Sequence, residues 1–103
     1  MPSPSAATLA AADIEKKIGK LVGHEAVKVK PYGRHFLIQM DDNGQPDTVA
    51  RLTQLTTRTY GISFKSHTGR WEPLPEEGTR EEMITVLVDE LAPYLDPTNY
   101  TRD

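Results

Sequence analysis

The stretch HEAVKVKPYGRHFLIQM, residues 24–40, decides how this chain folds. Its apolar residues recur at every second position, Val27 and Val29 and then Phe36, Ile38 and Met40. A period of two fits a strand and not a helix. Lys28 and Lys30 fill the intervening positions of the first run, and His35, Leu37 and Gln39 those of the second. Between the runs, Pro31 to Arg34 reads as a four-residue loop, with Pro31 preset for the first central turn position. Pairing Val29 with Phe36 and Val27 with Ile38 puts the large apolar side chains on one face. A slip by one residue would set Lys28 against Phe36 and split the core, so the first register is expected.

Toward the N-terminus the period changes. In TLAAADIEKKIGKLVG, residues 8–23, Ile14, Ile18, Leu21 and Val22 fall on one stripe of a helix. Lys16, Lys17 and Lys20 lie largely elsewhere, and Gly23 is a natural stop in the left-handed conformation. The preceding MPSPSAA, residues 1–7, reads as a flexible leader.

Toward the C-terminus, Asn43-Gly44 is a strong hairpin signal. The segment TVARLTQLT, residues 48–56, has Val49, Leu52 and Leu55 at helical spacing, but its threonines favour a third strand. YGISFKS alternates again and makes a fourth strand, with Tyr60, Ile62 and Phe64 on one side. SHTGRWEPLPEE, residues 66–77, holds the only tryptophan. Gly69 permits a turn there, and WEPL adds at most a short bent continuation. Trp71 is expected to fold over the end of the core as a lid, while Pro73 and Pro75 stiffen the crossover to a second helix. That helix is marked by Thr79 as N-cap with Glu82 three residues on, a capping box. Met83, Ile84, Leu87, Val88 and Leu91 form its stripe, and Pro93 ends it.

The expected fold is therefore a single α+β domain over residues 8–96 with a polar tail at 97–103. It is a two-layer sandwich of order α-β-β-β-β-α: a four-stranded antiparallel meander with both helices on one face. That order is similar to the α-β-β-β-α of the double-stranded-RNA-binding domain, in order alone. The family presents a lysine-rich start to its second helix, whereas PEEGTREE, residues 75–82, carries Glu76, Glu77, Glu81 and Glu82 and would repel phosphate.

Composition narrows the chemistry. A chain of 103 residues holds one core. It has no cysteine, hence no disulfide and no thiolate metal site. No basic lead precedes an apolar run long enough for a signal or membrane segment, so a cytoplasmic protein without membrane partners is expected. The net charge of −3 hides an asymmetry. From Lys16 to Arg70 there are ten Lys/Arg against four acids, and from Trp71 onward two against nine. Attraction between the two halves is the ordinary explanation of such a split.

With the apolar positions turned to the helices, the other face of the sheet shows Lys28, Lys30, His35, Leu37, Gln39, Arg51, Thr53, Ser63 and Lys65, with His67 a further candidate at its end, and no acid. His24, His35 and His67 are the only imidazoles, and the register keeps them apart. No nucleophile, base and orienting group converge, and no metal or cofactor set is evident, so no enzymatic activity is expected. The face reads instead as a partner-binding surface made by Lys28, Lys30, His35, Leu37, Arg51 and Lys65; in the alternative to the lid, Arg70 and Trp71 form an exposed anchor at its end. Leu37, Val49 and Leu55 among the charges favour a protein partner or self-association. Nucleic acid is the alternative, held at its phosphates by Lys28, Lys30, Arg51 and Lys65. Tyr32 and Trp71, at turns at the two ends, leave no aromatic ring inside the strands of that face.

Overall fold

A computed structural model describes residues 5–99, so residues 1–4 of the expected leader and 100–103 of the expected tail lie outside the described residues, while Ala6 and Ala7, expected in the leader, belong to the first helix. The order is α1 (Ala6–Val22), β1 (Lys28–Tyr32), β2 (His35–Asp42), β3 (Gln45–Gln54), β4 (Tyr60–Lys65), β5 (Trp71–Gly78) and α2 (Arg80–Glu90). Short 3-10 helices at Ala92–Leu95 and Pro97–Asn99 follow, where a polar tail was expected from residue 97.

Helix α1 starts earlier than its apolar stripe suggests, because Ser5 caps it. The Ser5 hydroxyl oxygen accepts the Thr8 N–H at 3.1 Å. Gly23 ends it at φ 82°, and its N–H donates to the Gly19 carbonyl. The buried stripe is Ala11, Ile14 and Ile18. Leu21, expected on that stripe, is 52% exposed, because the row of the core runs on through Val22 instead.

The sheet is antiparallel, with β1 to β5 in sequence order. It has five strands and not four. The fifth, Trp71–Gly78, pairs with β4 along a stretch expected to be a crossover. Its two prolines argue against a central strand but are tolerated at an edge, where one side of the ladder needs no donor. A register irregularity between Gly61 and Ser63 opposes Pro73–Glu77 to that short span and absorbs the Pro-Leu-Pro segment.

The first hairpin is shifted by two residues from the expected register. Val29 pairs with Ile38, Pro31 with Phe36 and Tyr32 with His35, leaving only Gly33 and Arg34 as loop. Gly33 supplies the positive φ of 59° that so tight a turn requires. Pro31 is a strand residue for a clear reason. Two residues earlier, the Val29 N–H points away from β2 and donates to Glu15 Oε1 of α1 at 2.8 Å. Pro31 lies on the same outward side, where its missing N–H is not needed. A slip of two keeps every side chain on its face, so the core composition survives the error.

Asn43 and Gly44, at φ 55° and 84°, make the second hairpin turn. That turn pairs Asp42 with Gln45, so β3 begins three residues before the expected Thr48 and ends at Gln54. A bulge opposite Ile38 and Gln39 leaves Val49 without a ladder partner. Val49 and Ala50 therefore both enter the core, and Val49, expected among charges on the other face, is only 5% exposed.

Buried residues of α1 (Ala11, Ile14, Ile18) and α2 (Met83, Ile84, Leu87) form one cluster with Phe36, Ile38, Met40, Leu52, Tyr60 and Ile62. Lys17 ties the helices at the surface, pairing with Asp13 at 3.0 Å and with Glu81 across the gap, while Arg80 reaches Asp13 at 3.6 Å. At the other end His24 Nδ1 accepts the Ala26 N–H at 3.1 Å. Nε2 therefore carries the proton and donates to the Leu95 carbonyl at 2.9 Å, fastening the first 3-10 turn to the α1–β1 connection.

The capping box of α2 is reciprocal: the Thr79 N–H donates to Glu82 Oε1 at 2.9 Å, and the Glu82 N–H to the Thr79 hydroxyl at 3.2 Å. Thr79, first through its backbone N–H and then through its hydroxyl, holds the Glu82 carboxyl below the ordinary 4.5. A depressed carboxylate stabilises the fold above pH 4.5, and that contribution fades as pH falls through the lowered value. Thr79→Ala is expected to cost about 1 kcal/mol in urea unfolding near neutral pH. An unchanged midpoint would show that the box contributes nothing.

Candidate functional site

The register sets out side chains in rows across the ladder. One row runs Lys30, Leu37, Arg51, Ser63, Pro73, and a second runs Tyr32, His35, Thr53, Gly61, Glu77. Lys28, Gln39 and Thr48 form a third, and Lys65 pairs with Trp71. Between these rows lies a depression of about 310 Å³ lined by Tyr32, His35, Leu37, Thr48, Arg51, Lys65 and Trp71. Every strand contributes to it and no helix does.

Trp71 is not a lid over the core. Its half-buried ring lies on this side of the sheet with the Arg51 guanidinium 4.4 Å from its centre, a cation–π contact. Ser63 stands between Arg51 and β5 in the ladder, and its small side chain suits the crossing of the two larger groups. The arrangement needs β5 to be a strand. Once Trp71 pairs with Lys65, its side chain shares a face with Ser63 and Arg51.

The electrostatics are one-sided. Arg51 and Lys65 line the depression, Lys30 flanks Leu37 on the ladder, and none of the lining residues is acidic. None of the three ion pairs among the described residues involves Lys28, Lys30, Arg51 or Lys65. The Arg51 Nε is buried without a hydrogen-bond partner among the described residues. His35 Nδ1 lies 2.8 Å from the Thr53 hydroxyl. Burial first, and then the charge of Arg51, push the His35 imidazole below its ordinary 6.5, so it is mainly neutral at pH 7.

Five of the residues expected to bind a partner (His35, Leu37, Arg51, Lys65 and Trp71) come together here. Lys28 and Lys30 are exposed on β1 outside the rim, and Arg70 is exposed in the turn before β5. Leu55 lies beyond β3, 42% exposed, in the turn next to Gly61. Tyr32 and Thr48 were missed as lining residues. The signal for Tyr32 was present: Lys28, Lys30 and Tyr32 alternate, and reading Pro31 as a strand residue puts the phenol on the lysine face. Thr48 depended on the bulge, which no pattern announces.

The three imidazoles stay apart, His24 in its carbonyl contact, His35 in the depression and His67 in the β4–β5 turn. No group of three or more His, Asp or Glu among the described residues is placed to hold a metal ion. No helix among the described residues is long and apolar enough to cross a membrane. No protein-family model matches the chain, and no curated protein or solved structure matches it.

Proposed function

We propose that this chain is a non-enzymatic binding module whose working surface is the strand-built depression. Its partner is a protein segment that presents carboxylates beside an apolar side chain. The reading takes α1 and α2 to cover the Phe36, Ile38 and Ile62 side of the sheet and to leave the opposite side bare. Support for that placement is the single core cluster that joins both helices to those strand residues.

The observation that carries the proposal is the pairing of Arg51 with Trp71 in a depression that holds one further cation, Lys65, and Leu37 but no acid. Arginine and tryptophan concentrate binding energy at interfaces, and a surface of one charge sign selects the opposite sign in its partner. A second reading has a specific observation behind it. Tyr32, 67% exposed, lies with Trp71 on the rim of the same basic depression. Rings among cations form a platform for single-stranded nucleic acid gripped by Lys28, Lys30, Arg51 and Lys65.

Capture from native lysate, run with and without nuclease and at several salt concentrations, separates the two. A protein partner survives nuclease and moderate salt, and Leu37→Asp weakens capture about tenfold or more. Nucleic acid is lost to nuclease and weakens steeply with salt, by a slope of about 0.7 per phosphate contact for single strands. Capture indifferent to Leu37→Asp and to charge reversal at Arg51 would remove the depression as the site.

A further inference from the structure

We propose that the depression contains an oxyanion subsite, built from Arg51 and Lys65 with His35 beside them, that takes up a proton when an anion enters. Three observations converge on it. The Arg51 Nε–H is a buried donor without an acceptor among the described residues, which is costly to leave unmade, and Arg51 lines the depression that an incoming oxygen would enter. Trp71 holds the guanidinium 4.4 Å over its ring, which restrains it at the depression both residues line. Lys65 lines the same depression, so a singly or doubly charged oxyanion meets two cations.

His35 supplies the coupling. Its hydroxyl partner, Thr53, accepts from a protonated ring as well as it donates to a neutral one, so protonation does not break that contact. The charged and titratable groups facing it are Arg51 from β3, Lys65 from β4, and Tyr32 and Lys30 from β1. On β5 the carboxylate of its row is Glu77, three strand spacings away, roughly 14 Å. Burial first and then the Arg51 charge oppose protonation of the empty site, and an anion held by Arg51 offsets that charge. By linkage, affinity then rises as pH falls through the His35 titration, and the bound anion raises the His35 pKa.

The inference rests on the depression as the binding surface, but its test needs no macromolecular partner. Sodium sulfate is titrated into the full chain against chloride at matched ionic strength, because sulfate keeps its charge across the range. Imidazole resonances report His35, with His24 and His67 as internal controls, and emission of the single tryptophan reports the depression. Sulfate is expected to raise the His35 pKa by about half a unit or more, and its affinity to rise from pH 7.5 downward toward a limit about threefold higher once His35 is protonated. His35→Gln is expected to remove that pH dependence. Arg51→Gln weakens sulfate about tenfold or more, and Arg51→Lys, which keeps the charge without the Nε–H, weakens it also.

A parallel titration with acetylated, amidated glutamate separates the two sources of such an anion. Tighter binding of one probe assigns the subsite to a carboxylate or to a phosphate-like group. Failure of both probes to move His35 or Trp71, or full retention of sulfate binding in Arg51→Lys, overturns the proposal. Loss of macromolecular capture alone, with the sulfate coupling intact, counts against the function proposed above and not against the subsite.

Discussion

Leu52→Ala is expected to lower the free energy of unfolding by about 3 kcal/mol, the typical cost of truncating a large buried aliphatic residue. Leu52 is fully buried on β3 and is the ladder partner of both Phe36 and Ile62. Neighbours held on two sides by ladder hydrogen bonds cannot collapse into the space it leaves. Against a total stability of roughly 5–15 kcal/mol for a small domain, such a loss is large. Urea unfolding gives the number directly, and a loss below about 1 kcal/mol would show that the centre of the sheet is not the packed core. Leu21→Ala is the matching control. Leu21 is 52% exposed, so its removal is expected to stay within about 0.5 kcal/mol. The pair of variants tests the rotational setting of α1, where apolar periodicity alone points to the wrong leucine.

Arg51→Glu is expected to weaken partner capture about a hundredfold, or 2–3 kcal/mol. It removes the cation–π contact with Trp71, takes away the donor inside the depression and sets a carboxylate against the partner's own charge. The measurement is a binding isotherm of the captured partner against wild type and variant, with urea unfolding confirming that both are folded. Trp71→Ala is the companion: with the charge kept and the ring gone, capture weakens less than in Arg51→Glu. Equal losses would assign the effect to the stacked pair as a unit and not to the charge. Wild-type affinity in both variants would place the working surface elsewhere.

Much of the fold can be read from the chain because it is written in local chemistry. The alternation in residues 27–40, the Asn-Gly turn, the Gly23 stop and the Thr79–Glu82 box each depend on neighbours close in sequence, and each is present. What escapes is set by neighbours distant in sequence. Pro31 reads as a turn former until the contact of Glu15 with Val29 shows which side of β1 faces outward. Pro73 and Pro75 read as breakers until β4 is seen on one side only of β5. The cationic face could be listed from parity alone, since slips of two residues preserve it. The stacking of Trp71 on Arg51 could not, because it requires the fifth strand.

The prolines and the Glu15 contact also bear on how this protein behaves when concentrated. Both borders of the sheet lack donors that a foreign strand would need: β1 has one N–H engaged by Glu15 and none at Pro31, and β5 has none at Pro73 and Pro75. Fibrils and strand-swapped dimers grow by extending a ladder from such a border, and here the growth points are chemically blunted. Molecules crowded together therefore meet through side chains and not through main chain, which keeps their encounters reversible.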